Sequence, residues 1–200
     1  FVSTVAISLY TISTPFILGI FTNNIILGYY AAADKIIQAI KGLLGPFSQT
    51  IYPFINKKVV VSKEEGLKII RKITVYVAVF TFSVSITVFV FVQEITFLLL
   101  GRNYFQSIAI LKILTITPFL IGLSNVFGIQ TMIPFGRNRA FRNILISASI
   151  INVILSLILV PIFNHYGSAF SVVLVELFVT ISMFIYLQTT GIKIMEFKNV

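Results

Sequence analysis

Cysteine and tryptophan are absent from these 200 residues, and histidine occurs once. The first absence rules out a disulfide framework, a thiolate metal site and a cysteine nucleophile. Charge is scarce too: 10% of the residues are Asp, Glu, Lys or Arg, against about a quarter in an ordinary soluble domain. Acid is scarcest, six Asp and Glu against fifteen Lys and Arg. So little His, Asp and Glu leaves no metal cluster, and no phosphate-cradling glycine loop, HExxH pattern or nucleophile elbow occurs. No enzyme and no cofactor are expected.

What fills the chain is apolar. Hydrophobic residues make up 58%, twenty of them Phe, and the mean hydropathy is +1.02. Uncharged runs of about twenty residues match the ~30 Å hydrocarbon thickness of a bilayer. They divide the chain into an all-α bundle of six transmembrane spans, at about residues 2–21, 25–56, 73–93, 107–134, 144–163 and 169–189. The run 73–93 is rich in Val, Ile and Thr, yet its length and its lack of period-two alternation favour a spanning helix over a strand. Thr22-Asn23-Asn24 is the turn between the first two spans. Pro15, Pro46 and Pro118 are the expected kinks, and the Ser8, Thr11 seam suits close helix contact. Span two is too long for one straight crossing and is expected to tilt, kink or project into water. Gly101 is the expected stop of the helix after span three, and Arg102 and Tyr104 are interface anchors. The chain starts inside a hydrophobic run without Met, which predicts a piece of a longer polypeptide whose amino-terminal portion is missing.

A formal charge of +9 does not point to nucleic acid, because the basic residues cluster between the apolar runs. Six lie at 57–72, among them Lys57, Lys58, Lys68, Arg71 and Lys72; three follow span four, Arg137, Arg139 and Arg142; Lys193 and Lys198 close the chain. With alternating spans these eleven share one side, against Arg102 alone on the other. The positive-inside rule then puts both ends of a multi-pass protein in the cytoplasm. Lipid headgroups are the second expected role of these side chains. His165 falls in the short NHYGSAF turn and is expected to be a solvated loop residue.

The exception to the charge-free spans is residues 27–52. Asp34, Lys35 and Lys41 lie well inside them, and three charges facing lipid would cost roughly 8–10 kcal/mol. At about 100° per residue, Asp34, Gln38 and Lys41 fall within about 60° of one another, and Ser48, Gln49 and Tyr52 continue the stripe; Lys35 falls about 100° off it. A polar stripe on an apolar helix reads as the wall of an internal aqueous path, with a packing ion pair as the bland alternative. Asp34 is also a candidate for coupling to a cation or proton, as is Glu176 inside span six. Span four, interrupted by Pro118, Gly122, Asn125 and Gln130, has the broken character of a mobile or substrate-lining helix, and the commonness of Pro in membrane helices is the equal alternative. A channel would call for a ring-forming filter, and none appears.

GYYAAADK at Gly28–Lys35, the Ile40–Phe54 segment with Pro46, Gln49 and Tyr52-Pro53, the basic loop after it, and HYGSAFSVVLVE at His165–Glu176 occur in the order found in one family. On these residues the chain resembles the polysaccharide-transporter and O-antigen flippase family of the multidrug/oligosaccharidyl-lipid/polysaccharide exporter superfamily. The resemblance implies one lobe, the carboxyl-terminal one, of a twelve-helix, two-lobed flippase. It further implies alternating-access movement of isoprenoid-pyrophosphate-linked oligosaccharide across the bacterial cytoplasmic (inner) membrane. Its implied partners are the lipid-linked oligosaccharide, membrane lipids, the missing amino-terminal lobe and, as a candidate, a glycan polymerase. Lys35 and Lys41 would meet the anionic pyrophosphate, and Gln38, Ser48, Gln49 and Tyr52 the sugars. The alternatives are an ion-coupled multidrug and toxin exporter of the same superfamily and a non-transporting scaffold for glycan assembly.

Overall fold

The computed structural model describes the backbone of residues 2–194 and the side chains of residues 12–194. The Ser8, Thr11 seam and Lys198 therefore lie outside the described side chains. The described residues are helical nearly throughout, and none is in a strand.

Helix α1 runs Val2–Phe21 with Pro15 inside it. It ends where the polar turn is expected, and Asn23 caps α2, Asn24–Gly42, by accepting a 2.9 Å hydrogen bond from the Ile26 amide. That bond satisfies one of the orphan donors of a helix start. The single span expected over 25–56 is two helices, because α2 stops and α3, Leu44–Val61, begins after Leu43 alone. Pro46 explains the position. It has no N–H, and its ring crowds the carbonyl four residues earlier, which belongs to Gly42, the last residue of α2.

Where a loop is expected after residue 56, α3 instead continues to Val61, and only Ser62 separates it from α4, Lys63–Val90. Ser62 is extended (φ −153°, ψ 120°) and accepts from the Glu65 amide at 3.4 Å, with Glu64 and Glu65 in the first turn. This is a Ser-x-x-Glu start with acid at the positive end of the helix. Gly66 lets the hairpin close: a Cβ there would stand 2.3 Å from the Val59 side chain.

After the short α5, Val92–Leu99, Gly101 at φ 85° stops the helix as expected. A 3₁₀ turn at Arg102–Tyr104 follows, and Tyr104 meets Tyr29 edge-to-face at 6.0 Å. Span four is broken twice, into α6, Ser107–Leu114, α7, Thr117–Phe127, and a π-helical segment, Gly128–Met132. Pro118 sets the first break by the same rule, its ring excluding the carbonyl of Leu114, where α6 ends. Gly122 breaks nothing; it is buried in α7, and a Cβ there would lie 2.7 Å from Thr81 on α4.

Helix α8 spans Asn138–Phe163, so Arg139 and Arg142 sit on its first turns instead of in a loop. Asn164 (φ 50°) alone reverses the chain into α9, His165–Thr189. His165 is consequently not a solvated loop residue: it is 9% exposed, with neither ring nitrogen hydrogen-bonded. Gly167 enforces this tight reversal, since a Cβ would stand 2.2 Å from the Leu159 carbonyl oxygen.

Two ends of the bundle are recognisable from its clusters. One gathers Leu18, Tyr30, Ile37, Ile110 and Leu114 with Val160 and Ala169. The other gathers Met132, Phe141 and Leu145 with Leu187, Ile192 and Ile194, and Leu67 and Phe135 pack against it. Lys63 and Arg137 border this second end, and Arg71 donates to the Lys193 carbonyl there. Meanwhile Val75, Val79, Phe82, Ile86, Phe89 and Val90 of α4, and Ile150, Ile154, Leu157 and Ile158 of α8, are exposed, while Thr81, Asn152, Ser156 and Glu176 are buried. Apolar rows outside and hydroxyls inside suit a helix bundle immersed in hydrocarbon. Buried threonines satisfy themselves by donating one turn back, as Thr81 does to Val77 (2.7 Å) and Thr96 to Val92 (2.7 Å). Among the described residues, Lys63–Val90, Ser107–Met132, Asn138–Phe163 and His165–Thr189 are long and apolar enough to cross a membrane.

Candidate transport site

On α2 the inward face is Tyr30, Ala33, Ile36 and Ile37. Asp34 lies at its margin, half-buried, and accepts a short hydrogen bond from the Gln38 amide, which is exposed. Lys41 is half-buried two turns beyond Asp34, whereas Lys35 is exposed on another side. Beside Gly28, Gly42 and Gly45 no atom lies within 4 Å of where a Cβ would stand. Asp34, Gln38 and Lys41 thus form a polar border between the packed face of α2 and open space.

Ser48, at the start of α3, is placed differently. It is 7% exposed; its hydroxyl donates to Asn125 Oδ1 on α7, and Gln130 Nε2 on the π segment donates to its Oγ (2.7 Å) and carbonyl (2.9 Å). The structure ties Ser48 into the helix bundle and does not bring it to the border occupied by Asp34. Gln130 Oε1 is buried without a hydrogen-bond partner and lines a cavity of about 10 Å³ with Ser48, Gly122 and Asn125. On the other side of the break Ser107, starting α6, donates to the Tyr29 carbonyl at 2.8 Å. Each half of broken span two is therefore fastened to the matching half of broken span four. The breaks adjoin, Leu43, Leu44 and Pro118 sharing one small hollow of about 20 Å³.

Gln49 is exposed and Tyr52 half-buried on α3. Glu176 is 3% exposed within α9, and Thr180 donates to its backbone carbonyl at 2.8 Å. Ser149, Asn152 and Ser156 share the buried face of α8, and Asn152 Nδ2 donates to Ser13 (3.1 Å) and Thr14 (2.9 Å) on α1. Ser48–Gln130 and Asn152–Thr14 are pairings across 82 and 138 residues. The only signal for them in the sequence is a long polar side chain inside an apolar run. Among the described residues no three His, Cys, Asp or Glu gather as a metal group.

A family model described as a polysaccharide biosynthesis protein matches residues 1–59, which hold α1, α2 and nearly all of α3. A protein of Escherichia coli (strain K12) named "Putative O-antigen transporter" is 31% identical over 194 residues, covering 97% of this chain. A protein of the same name from Shigella dysenteriae is 26% identical over 186 residues, covering 92%. Together these matches support a polysaccharide and O-antigen transporter family. It spans about half the length of these curated relatives, 47% and 46%. No solved structure matches the chain. Residues 1–59, matched by the polysaccharide biosynthesis model, include Asp34, Gln38, Lys41 and Ser48, so the polar border and one side of the Ser48 clasp fall in the matched segment.

Proposed function

We propose that this lobe is the carboxyl-terminal half of a two-lobed, twelve-helix flippase that moves isoprenoid-pyrophosphate-linked oligosaccharide across the bacterial cytoplasmic membrane by alternating access. The observation that carries the reading is the polar border of α2, where Asp34 and Gln38 are paired and Lys41 follows next to open space. Charges at such depth are stable only beside water or a second polar surface, and a facing lobe with an aqueous path between the two supplies both. The relatives named as O-antigen transporters and their double length support the same reading.

In this scheme Lys41 attracts the pyrophosphate as it crosses, Gln38, Gln49 and Tyr52 exchange hydrogen bonds with sugar hydroxyls, and the isoprenoid tail stays in the bilayer. Lys35, on a different side of α2, meets the anionic group at another stage of the movement or at the membrane interface. Asp34 is held by Gln38 and is the candidate coupling group on this helix, with Glu176 the buried alternative on α9. The basic end of the bundle faces the cytoplasm.

The test is flipping of a fluorescent lipid-linked oligosaccharide by the intact protein in sealed vesicles. Lys41→Ala is expected to lower the rate at least tenfold, and Lys41→Arg to retain most of it. Full-rate flipping by Lys41→Ala overturns the role of this border, and export of a cationic amphiphile in place of the glycan lipid assigns the protein to drug export. Absence of any transport by the intact protein leaves the scaffold reading standing.

A further inference from the structure

The basic end of the bundle contains a cavity lined by none of the α2 border residues. It measures about 310 Å³ and lies where the start of α4, the chain before α8 and the turn after α9 meet. Its walls carry Lys63 and Arg137, with Glu64 beside them, over an apolar floor of Leu67, Phe135 and Ile192. Lys63 and Arg137 are both exposed, and neither has an ion-pair partner among the described residues. The wall after α9 is fixed in place: Gly191 turns at φ 79°, and the Arg71 guanidinium donates twice to the Lys193 carbonyl, at 2.7 and 2.9 Å.

We propose that this cavity binds the phosphodiester headgroup of an anionic phospholipid. Depth is the first argument. Helices α4, α8 and α9 have 28, 26 and 25 residues, about 38–42 Å at 1.5 Å per residue, which exceeds the ~30 Å hydrocarbon core and sets their ends at headgroup level. Charge is the second: two cations and one carboxylate leave the lining at +1, the match for a single phosphodiester charge. Shape is the third, because cations at the rim above Leu67, Phe135 and Ile192 present an amphiphile with both of its surfaces, whereas a free phosphate gains nothing from that floor. Arginine adds a planar fork for two phosphate oxygens and lysine a mobile point charge. The proposal does not depend on the flippase reading, since it concerns the opposite end of the lobe from the α2 border and any membrane carrying anionic lipid.

The experiment measures binding of dioctanoyl phosphatidylglycerol, dioctanoyl phosphatidylcholine and inorganic phosphate to the intact protein in neutral detergent. Saturable binding is expected for phosphatidylglycerol, at least tenfold tighter than for the other two probes. One cation near an anionic lipid surface is worth about fivefold in affinity, so Lys63→Gln with Arg137→Gln should weaken phosphatidylglycerol about 25-fold. Lys57→Gln with Arg142→Gln removes the same charge from the same end outside the cavity and should cost less than threefold. Lys63→Arg with Arg137→Lys keeps the charge and should stay within threefold, which also guards against a misfolded neutral variant. Equal losses in the two neutral pairs would reduce the effect to a diffuse field and overturn the site. Phosphatidylcholine or inorganic phosphate binding as tightly as phosphatidylglycerol, or loss of binding in the charge-keeping variant, overturns it as well.

Discussion

Gln130 and Ser48 are joined twice, side chain to hydroxyl at 2.7 Å and side chain to carbonyl at 2.9 Å, across 82 residues of sequence. This pair links a π-helical turn in span four to the first turns of α3, just past the break at Leu43. With Ser107 holding Tyr29 on the far side of the breaks, spans two and four form two stacked units with their discontinuities side by side. A π segment is a local irregularity often found at functional sites. Here its consequence is geometric: it carries Gln130 to Ser48.

Ser48→Ala removes the acceptor for one Gln130 hydrogen bond and the donor to Asn125, leaving polar groups buried in apolar surroundings. The expected cost is about 1–2 kcal/mol, above the ~0.6 kcal/mol average for hydrogen bonds between membrane helices. Unfolding by denaturing detergent checks it. A double-mutant cycle with Asn125→Ala should show that the two losses overlap; strictly additive losses would mean that the Ser48–Asn125 bond contributes nothing.

Gly167→Ala places a methyl 2.2 Å from the Leu159 carbonyl oxygen, a backbone atom that cannot turn aside. Separating α8 from α9 to relieve it should cost more than about 2 kcal/mol, in the upper part of the usual overpacking range or beyond it. Gly28→Ala meets nothing within 4 Å and, in a helix interior, should be neutral or stabilising by up to about 1 kcal/mol. The two variants compared in the same unfolding assay isolate the close contact from helix propensity.

Pro46→Ala with Pro118→Ala restores an N–H to each break and removes both ring clashes. These 200 residues hold no cysteine, so once any cysteine elsewhere in the intact protein is replaced, spin labels at Lys35→Cys and Val60→Cys read the angle between α2 and α3 without background. The distance distribution is expected to narrow and lengthen as the helix straightens. An unchanged distribution would transfer the break from the prolines to the tertiary ties around Leu43.

Much of the fold was legible because it depends on local rules. Apolar run length located the four described helices long and apolar enough to cross a membrane, and Thr22–Asn24 and Gly101 marked helix ends. Pro46 and Pro118 marked breaks that fall one turn before them, a shift due to the clash with the fourth preceding carbonyl, whereas α1 runs on through Pro15. Boundaries failed where a tertiary contact extends a helix. Val59 packing on Gly66 carries α3 and α4 to within one residue of each other, and Gly167 on Leu159 pulls His165 out of the expected loop and buries it. For the site, helical angle placed Asp34, Gln38 and Lys41 together on α2. It could not place Ser48, since the break at Leu43 resets the angle for every residue beyond it.

Whether the α2 border faces water in the membrane is a separate question from exposure. Val79 on α4 is 61% exposed and Ile150 on α8 is 57% exposed, yet both sit on apolar faces that contact acyl chains in a bilayer. With any cysteine outside these 200 residues replaced, Gln38→Cys should react with a charged, water-soluble thiol reagent at a rate within about tenfold of Lys57→Cys at the basic end. Val79→Cys and Ile150→Cys should react at least a hundredfold more slowly, because a thiol in hydrocarbon neither ionises nor meets the reagent. Asp34→Asn should leave the Gln38→Cys rate nearly unchanged if water already fills the space beside Gly42, and should lower it if the carboxylate alone draws water in. A Gln38→Cys rate as slow as that of Val79→Cys would place the border against lipid and remove the basis for an aqueous path along α2.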